Sequence, residues 1–223
     1  MKKILFMVIC GLLVLWLVCL TNNNGQNKQL EPVGVVQAAT ATTNITLTTT
    51  ILEAISIAIT SGSSITFTSF APGTSAPQCN GSGSVLAVTT NASNGYTMGV
   101  SDASDTNSPM AFGSVYIPDA TGGTMTTPVT WTTNNAGFLG LGITDFAADT
   151  TKNTSKWGTG ATACDVFNKW AAVPSANSVG HTVTGWRAAA DSTSWGWKID
   201  APASQKTGLY TGVVLFTATS VVA

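Results

Sequence analysis

From Asn44 onward the chain alternates apolar residues with threonine at a period of two. Ile45, Leu47, Thr49 and Ile51 fall on one side, and Thr46, Thr48 and Thr50 on the other. Alternation of this kind places one row of side chains in a core and the other in water, as a half-buried β-strand requires. Threonine suits the wetter face because β-branching makes the extended conformation cheap to hold. Ala54 to Thr60 (AISIAIT) and Ser64 to Phe70 (SITFTSF) continue the pattern until Ala71-Pro72-Gly73 breaks it. Later strands are expected at Trp195 to Ile199, and at Leu209 to Thr219, where both faces are apolar. Two-sided apolarity predicts a central strand or one covered by another chain.

Turns punctuate the pattern. Ser84 to Thr90 and Tyr96 to Val100 flank Asn91-Ala92-Ser93-Asn94-Gly95, and the Asn-Gly pair predicts a β-hairpin. Ala111 to Ile117 and Pro128 to Thr133 are shorter strand candidates, while Asp165 to Ala172 reads as a short helical turn with Phe167 and Trp170 on one face. Thr133 to about His181 is expected to be a long irregular insertion. No helical heptad follows the N-terminal segment. Many short strands with Gly, Pro and Asn turns predict an all-β fold, an antiparallel β-sandwich of jelly-roll or Ig-like type carrying that insertion.

Ahead of this body lies a different kind of chain. Lys2 and Lys3 precede an apolar run to Leu20, which reads as a signal peptide or a membrane anchor over residues 1–20. Val36-Gln37-Ala38 has small residues where cleavage needs them, but far from the apolar run. Residues 21–38 are polar and Asn/Gln-rich, a linker. Residues 39–223 then form a single sandwich domain, with 39–50 either its first strand or a strand donated to a neighbour. The expected location is extracellular or at the cell surface, with contact to a membrane only through the N-terminal segment.

The body holds six basic residues against nine acidic ones, a net charge near −3. No basic patch is available for a phosphate backbone, so nucleic acid is excluded as a partner. Charged residues make up 9% of the chain against an ordinary value of roughly 25%. Weak charge repulsion favours self-association or wall contact. Of four cysteines, Cys10 and Cys19 lie in the leader, leaving Cys79 and Cys164 to pair in an exported domain. That bridge closes a loop of about 85 residues, worth ~4 kcal/mol in chain entropy.

Catalytic and metal chemistry finds little support. His181 stands alone in Gly-His-Thr, and no serine occupies a nucleophile elbow. Asp102, Asp105, Asp145 and Asp149 supply oxygens for calcium but not at a calcium-loop spacing. Asn44, Asn80, Asn91 and Asn153 begin glycosylation triplets. No cofactor and no enzymatic activity are expected. Six tryptophans in the body exceed what one core ordinarily holds. Trp195 and Trp197 share a strand face and are assigned to the core. Trp157 and Trp170, in the irregular region, are the candidates for an exposed aromatic contact surface.

Three stretches carry a family likeness: ISIAITSGSSITFTSFAPGT (Ile55 to Thr74), SVLAVTTNASNGYTMGVSD (Ser84 to Asp102) and WGWKIDAPASQKTGLYTGVVLFTAT (Trp195 to Thr219). They resemble bacterial surface and pilus-type β-sandwich proteins, pilin-like or WxL-like. SWGWKID lacks the Trp-x-Leu motif, so peptidoglycan binding does not carry over. The resemblance implies an exported sandwich and a filament subunit without catalytic residues. If it extends to assembly, residues 39–50 add as a strand to the next subunit, burying Ile45, Leu47 and Ile51 and building a homo-polymer. The alternative is a monomeric adhesion or carbohydrate-binding module that contacts cell-wall or surface glycans.

Overall fold

The structure, a computed structural model, describes residues 45–73, 77–103, 109–131, 139–146, 151–187 and 189–222. The leader, the polar linker, Cys10, Cys19, residues 39–44 of the donor segment, Asp105 and Asp149 lie outside them. Residues 50–223 form one compact unit, and residues 1–49 are a separate one. No helix among the described residues is long and apolar enough to cross a membrane.

The body is all-β, built from antiparallel sheets in a sandwich-like arrangement. Its strands are β1 (Ile55–Ser61), β2 (Gln78–Thr90), β3 (Gly95–Asp102), β4 (Met110–Phe112), β5 (Val115–Ile117) and β6 (Val129–Thr130). After these come β7 (Gly140–Phe146), one helical turn α1 (Thr154–Trp157), β8 (Lys169–Ala172), β9 (Ser178–Thr184), β10 (Asp191–Asp200) and β11 (Val214–Ser220). One sheet runs β1-β2-β10-β7-β8-β6, a second runs β11-β3-β9, and β4-β5 forms a small hairpin. Every strand pairing is antiparallel.

The two larger sheets meet through aromatic packing. Trp195 on β10 lies 5.4 Å, centroid to centroid, from Phe216 on β11 and edge-on to Trp157 at 5.7 Å. Trp197 meets the same Phe216 at 6.2 Å. Leu86, Val88, Tyr96, Met98, Val100, Ile143 and Ile199 complete the core. Gly180 leaves the space that the Trp195 ring occupies, since a Cβ there would lie 2.5 Å from it. Two polar links also cross the core. The Tyr96 hydroxyl donates to Asp191 at 2.9 Å, and His181 on β9 bonds Asp145 on β7 at 2.8 Å.

Several expectations are corrected. β2 and β3 do not form a hairpin: β2 pairs with β1 and β10, β3 with β11 and β9. The Asn91–Asn94 turn carries the chain from one sheet to the other, with Gly95 at φ 85°. Leu86 and Val88 thereby face Tyr96, Met98 and Val100 through the core instead of lying beside them. Ser64 to Phe70 is no strand, although Ile65, Phe67 and Phe70 still pack against the core.

The expected insertion contains β7, buried along its whole length between β10 and β8. It escapes recognition because burial on both faces removes the alternation that marks a strand. Gly142 within it lies beneath the Trp131 ring, where a Cβ would come within 2.4 Å. Asp165 starts no helix. Its carboxylate accepts from the Ala161 and Phe167 amides in a tight turn, and the chain then extends as β8. The helical turn forms instead at Thr154–Trp157, where the Asn153 side chain accepts from the Lys156 amide. β11, expected to be a central strand or one covered by another chain, is not central: it is an edge strand of the three-stranded sheet.

Candidate functional site

A sandwich with unequal sheets has edges, and unpaired strand edges are where another chain can add. Two of the four outer edges are blocked. β6 is two residues long. At β9, Lys156 Nζ donates to the Val179 and Gly180 carbonyls at 3.1 Å each, and Trp157 Nε1 donates to Gly180 at 2.9 Å. Burial pulls the Lys156 ammonium below its ordinary value, while the charge of Asp145 opposes that drop.

The other two edges are open. Among the described residues β1 pairs with β2 alone and β11 with β3 alone. The edges approach one another within 8 Å. Ile57 and Ile59 are cross-strand partners of Val88 and Leu86, so they point toward the core side of the sheet. They are nonetheless 36% and 54% exposed. Val214, Phe216 and Ala218 of β11 are half-buried and pack against the core. On the other face of that strand Leu215 is exposed, as are Leu209 and Val213 before it.

Residues 45–54 form no strand. Ile45, Leu47 and Ile51 are 82%, 89% and 82% exposed, and Leu52 is exposed beside them. Asn91 ties the segment to the body. Its Nδ2 donates to the Leu52 carbonyl at 2.9 Å, and its Oδ1 accepts from the Ala54 amide at 2.7 Å.

Cys79 and Cys164 are joined, with their Cα atoms 5.8 Å apart. The bridge ties the start of β2 to the loop that precedes β8. The proposed aromatic contact surface is corrected: Trp157 and Trp170 are 0% and 1% exposed. Trp157 fills the core against Trp195. Trp170 stacks edge-on with Trp131 at 5.7 Å, and Lys198 Nζ lies over both rings at 5.2 and 5.4 Å. Among the described residues the most exposed aromatics are Phe167 and Trp186, with Phe112 and Tyr116 less so. A helical turn at 165–172 would have placed Phe167 and Trp170 together. The turn-then-strand geometry separates them.

The polar groups serve structure. His181 and Asp145 form a buried pair, and Asp145 is unavailable as a solvated calcium ligand. Among the described residues no three His, Cys, Asp or Glu side chains gather to hold a metal ion. Burial, and then the charge of Asp102, push the Asp119 carboxyl up to about 7. Burial likewise raises Asp200 and lowers Lys198, each partly offset by the other's charge. Backbone amides of Phe167 and Ala161 hold the Asp165 carboxyl below its ordinary value. Three of the four triplet asparagines are structural. Asn80 accepts from the Ser82 and Gly83 amides, Asn91 holds residues 52 and 54, and Asn153 caps α1. Asn44 lies outside the described residues.

No family model, no curated protein and no solved structure matches this chain. The exposed core-side isoleucines had no distinct signal in the sequence, since an isoleucine reads the same whether or not a facing strand covers it.

Proposed function

We propose that this chain is a structural subunit of an extracellular filament or surface layer, joined to its neighbours by strand exchange through residues 39–50. One observation carries the reading. The sandwich ends in two strand edges, β1 and β11, that pair on one side only, and the chain also carries an uncharged stretch with a period-two apolar row. Exposed apolar rows of this kind are aggregation hazards unless a partner covers them. Burying Ile45, Leu47 and Ile51 would contribute about 1.5–3 kcal/mol each before ordering costs. A contact between different surfaces of identical chains propagates into a filament where its rotation does not close a ring. The finer fold assignment, Ig-like or jelly-roll, belongs to the same proposal. The β2-to-β3 crossing between sheets supports the Ig-like form.

Deleting residues 39–50 is expected to leave a folded, disulfide-bonded body that no longer polymerises. Negative-stain microscopy of the exported protein reads this directly, with circular dichroism as the folding check. Filaments of unchanged appearance from the deleted chain would end the strand-exchange reading. A monomeric glycan-binding or adhesion module is the second reading, and it would rest on exposed Trp186 and Phe167. Sugar-dependent quenching that vanishes in Trp186→Ala would favour it.

A further inference from the structure

We propose that Asn80 and Gly81 form a self-modifying site that converts Asn80 to aspartate or isoaspartate and so releases residues 64–70 from β2. The Gly81 amide gives its proton to solvent base, and its nitrogen bonds to the Asn80 Cγ. The bond from Cγ to Nδ2 breaks, and ammonia leaves with a proton from water. Water then opens the cyclic imide at either carbonyl. No reactant beyond water is needed, and the inference is independent of strand exchange.

Asn80 is arranged for this attack. Its Oδ1 accepts from the Ser82 amide at 3.1 Å and from the Gly83 amide at 2.9 Å. Two donors on one carbonyl oxygen draw electrons from Cγ and stabilise the negative charge that builds on the oxygen during attack. The bond from Ser82 also closes a ring that contains both Cγ and the Gly81 nitrogen, so the reacting atoms are kept together. Nδ2, the leaving nitrogen, donates to the Thr66 carbonyl at 3.1 Å and fixes the orientation of the side-chain amide. The β2 register against β10 jumps from Asn80–Trp197 to Ser84–Trp195, and against β1 it ends at Val85. Residues 81–83 therefore bulge out of both ladders. Gly81 and Ser82 are exposed, which admits water and base.

Asn94 and Gly95 are the same dipeptide in an arrangement that opposes the reaction. The Gly95 amide donates to the Ala92 carbonyl at 3.3 Å. Gly95 is buried, sits at φ 85° and pairs with Thr184 on β9. Its nitrogen is held inside the turn, while Asn94 Nδ2 is bound to the Val222 carbonyl. A third pair, Asn24 and Gly25, lies outside the described residues.

Conversion changes what position 80 holds. A carboxylate cannot donate to the Thr66 carbonyl. Thr66 stands between Ile65 and Phe67, which pack against the core together with Phe70 in a stretch that belongs to no strand. Isoaspartate also adds a carbon to the main chain, next to the Cys79 bridge.

The test incubates the exported, disulfide-bonded protein at neutral pH. After reduction and digestion, mass spectrometry reads Asn80 and Asn94 separately and resolves aspartate from isoaspartate. Synthetic peptides spanning residues 77–86 and 90–100 give the rates without the fold. Asn80 in the folded chain is expected to convert at least as fast as in its peptide, and at least about tenfold faster than folded Asn94, with isoaspartate among the products. A folded Asn80 slower than its peptide overturns the proposal, and so does an Asn94 within tenfold of Asn80. Aspartate without isoaspartate shows direct hydrolysis and overturns the cyclic route. In Gly81→Ala the new Cβ meets nothing within 4 Å, and the position lies outside the left-handed region, so the fold is kept. The methyl group hinders closure and should slow conversion at least about tenfold. An unchanged rate overturns the assignment of Gly81 as nucleophile. Asn80→Asp should speed hydrogen exchange of amides in residues 64–70 at least about fivefold. Unchanged exchange there overturns the release.

Discussion

Asp119 offers a test of the fold that is independent of assembly. Its carboxyl lies between β5 and β7, where the adjacent Leu141 amide donates to the Pro118 carbonyl and the Ala120 amide to Leu141. Burial raises it from 3.8 to about 7, and Asp102 adds a repulsive charge. Between those values the folded chain holds a proton that the unfolded chain has released. Stability is therefore full below about 4, falls as the pH rises toward 7, and stays low above it. A displacement from 3.8 to about 7 corresponds to a ceiling of roughly 4 kcal/mol. Asp119 is only partly buried, and water screens much of this, leaving roughly 1–2 kcal/mol. The substitution Asp119→Asn puts a neutral amide of nearly the same shape at this position at every pH. The variant should match the parent at pH 4 and exceed its Tm by roughly 3–6 °C at pH 8. Scanning calorimetry at pH 4, 6 and 8 gives the difference curve, in which other titrating groups cancel. A difference that is flat with pH, or one that shrinks as pH rises, would refute the burial argument.

Two further outcomes follow from the core. Cys79→Ser should lower stability by ~4 kcal/mol, read as a drop in the urea midpoint. Thiol labelling that modifies both cysteines of the native unreduced protein would contradict the bridge. Asp145→Ala should cost roughly 1–3 kcal/mol because it removes the buried hydrogen-bond partner of the His181 Nδ1. In a double-mutant cycle with His181→Ala the two losses should fall short of adding by about 1 kcal/mol or more. Additive losses would mean that the 2.8 Å contact between the sheets does not couple them.

Assembly depends on concentration and on competition between strand edges, so the proposed subunit needs protection where it must not polymerise. At β9 Lys156 and Trp157 occupy edge carbonyls, and β6 is two residues long. The buried Asp145–His181 pair and the Cys79–Cys164 bridge hold the sandwich from its interior and its far side. Neither involves the open edges.

Local alternation in the sequence determined the class of structure. The all-β character, the strands at Ile55–Ser61 and Asp191–Asp200, and the burial of Trp195 and Trp197 follow from residue spacing. The cysteine pair follows from there being only two in the body. Alternation states which side of a strand is apolar. It does not state whether the next apolar row lies beside that strand or across the core from it. Tertiary structure alone therefore decided that β2 and β3 part into different sheets, and that β7, with no alternation, belongs near the centre. It alone buried Trp157 and Trp170 and brought Asp145 to His181. It also put Ile57 and Ile59, apolar residues on a core-side face, at a sheet edge where they are partly exposed. Coverage belongs to pairs of sheets, and no single strand's sequence records it.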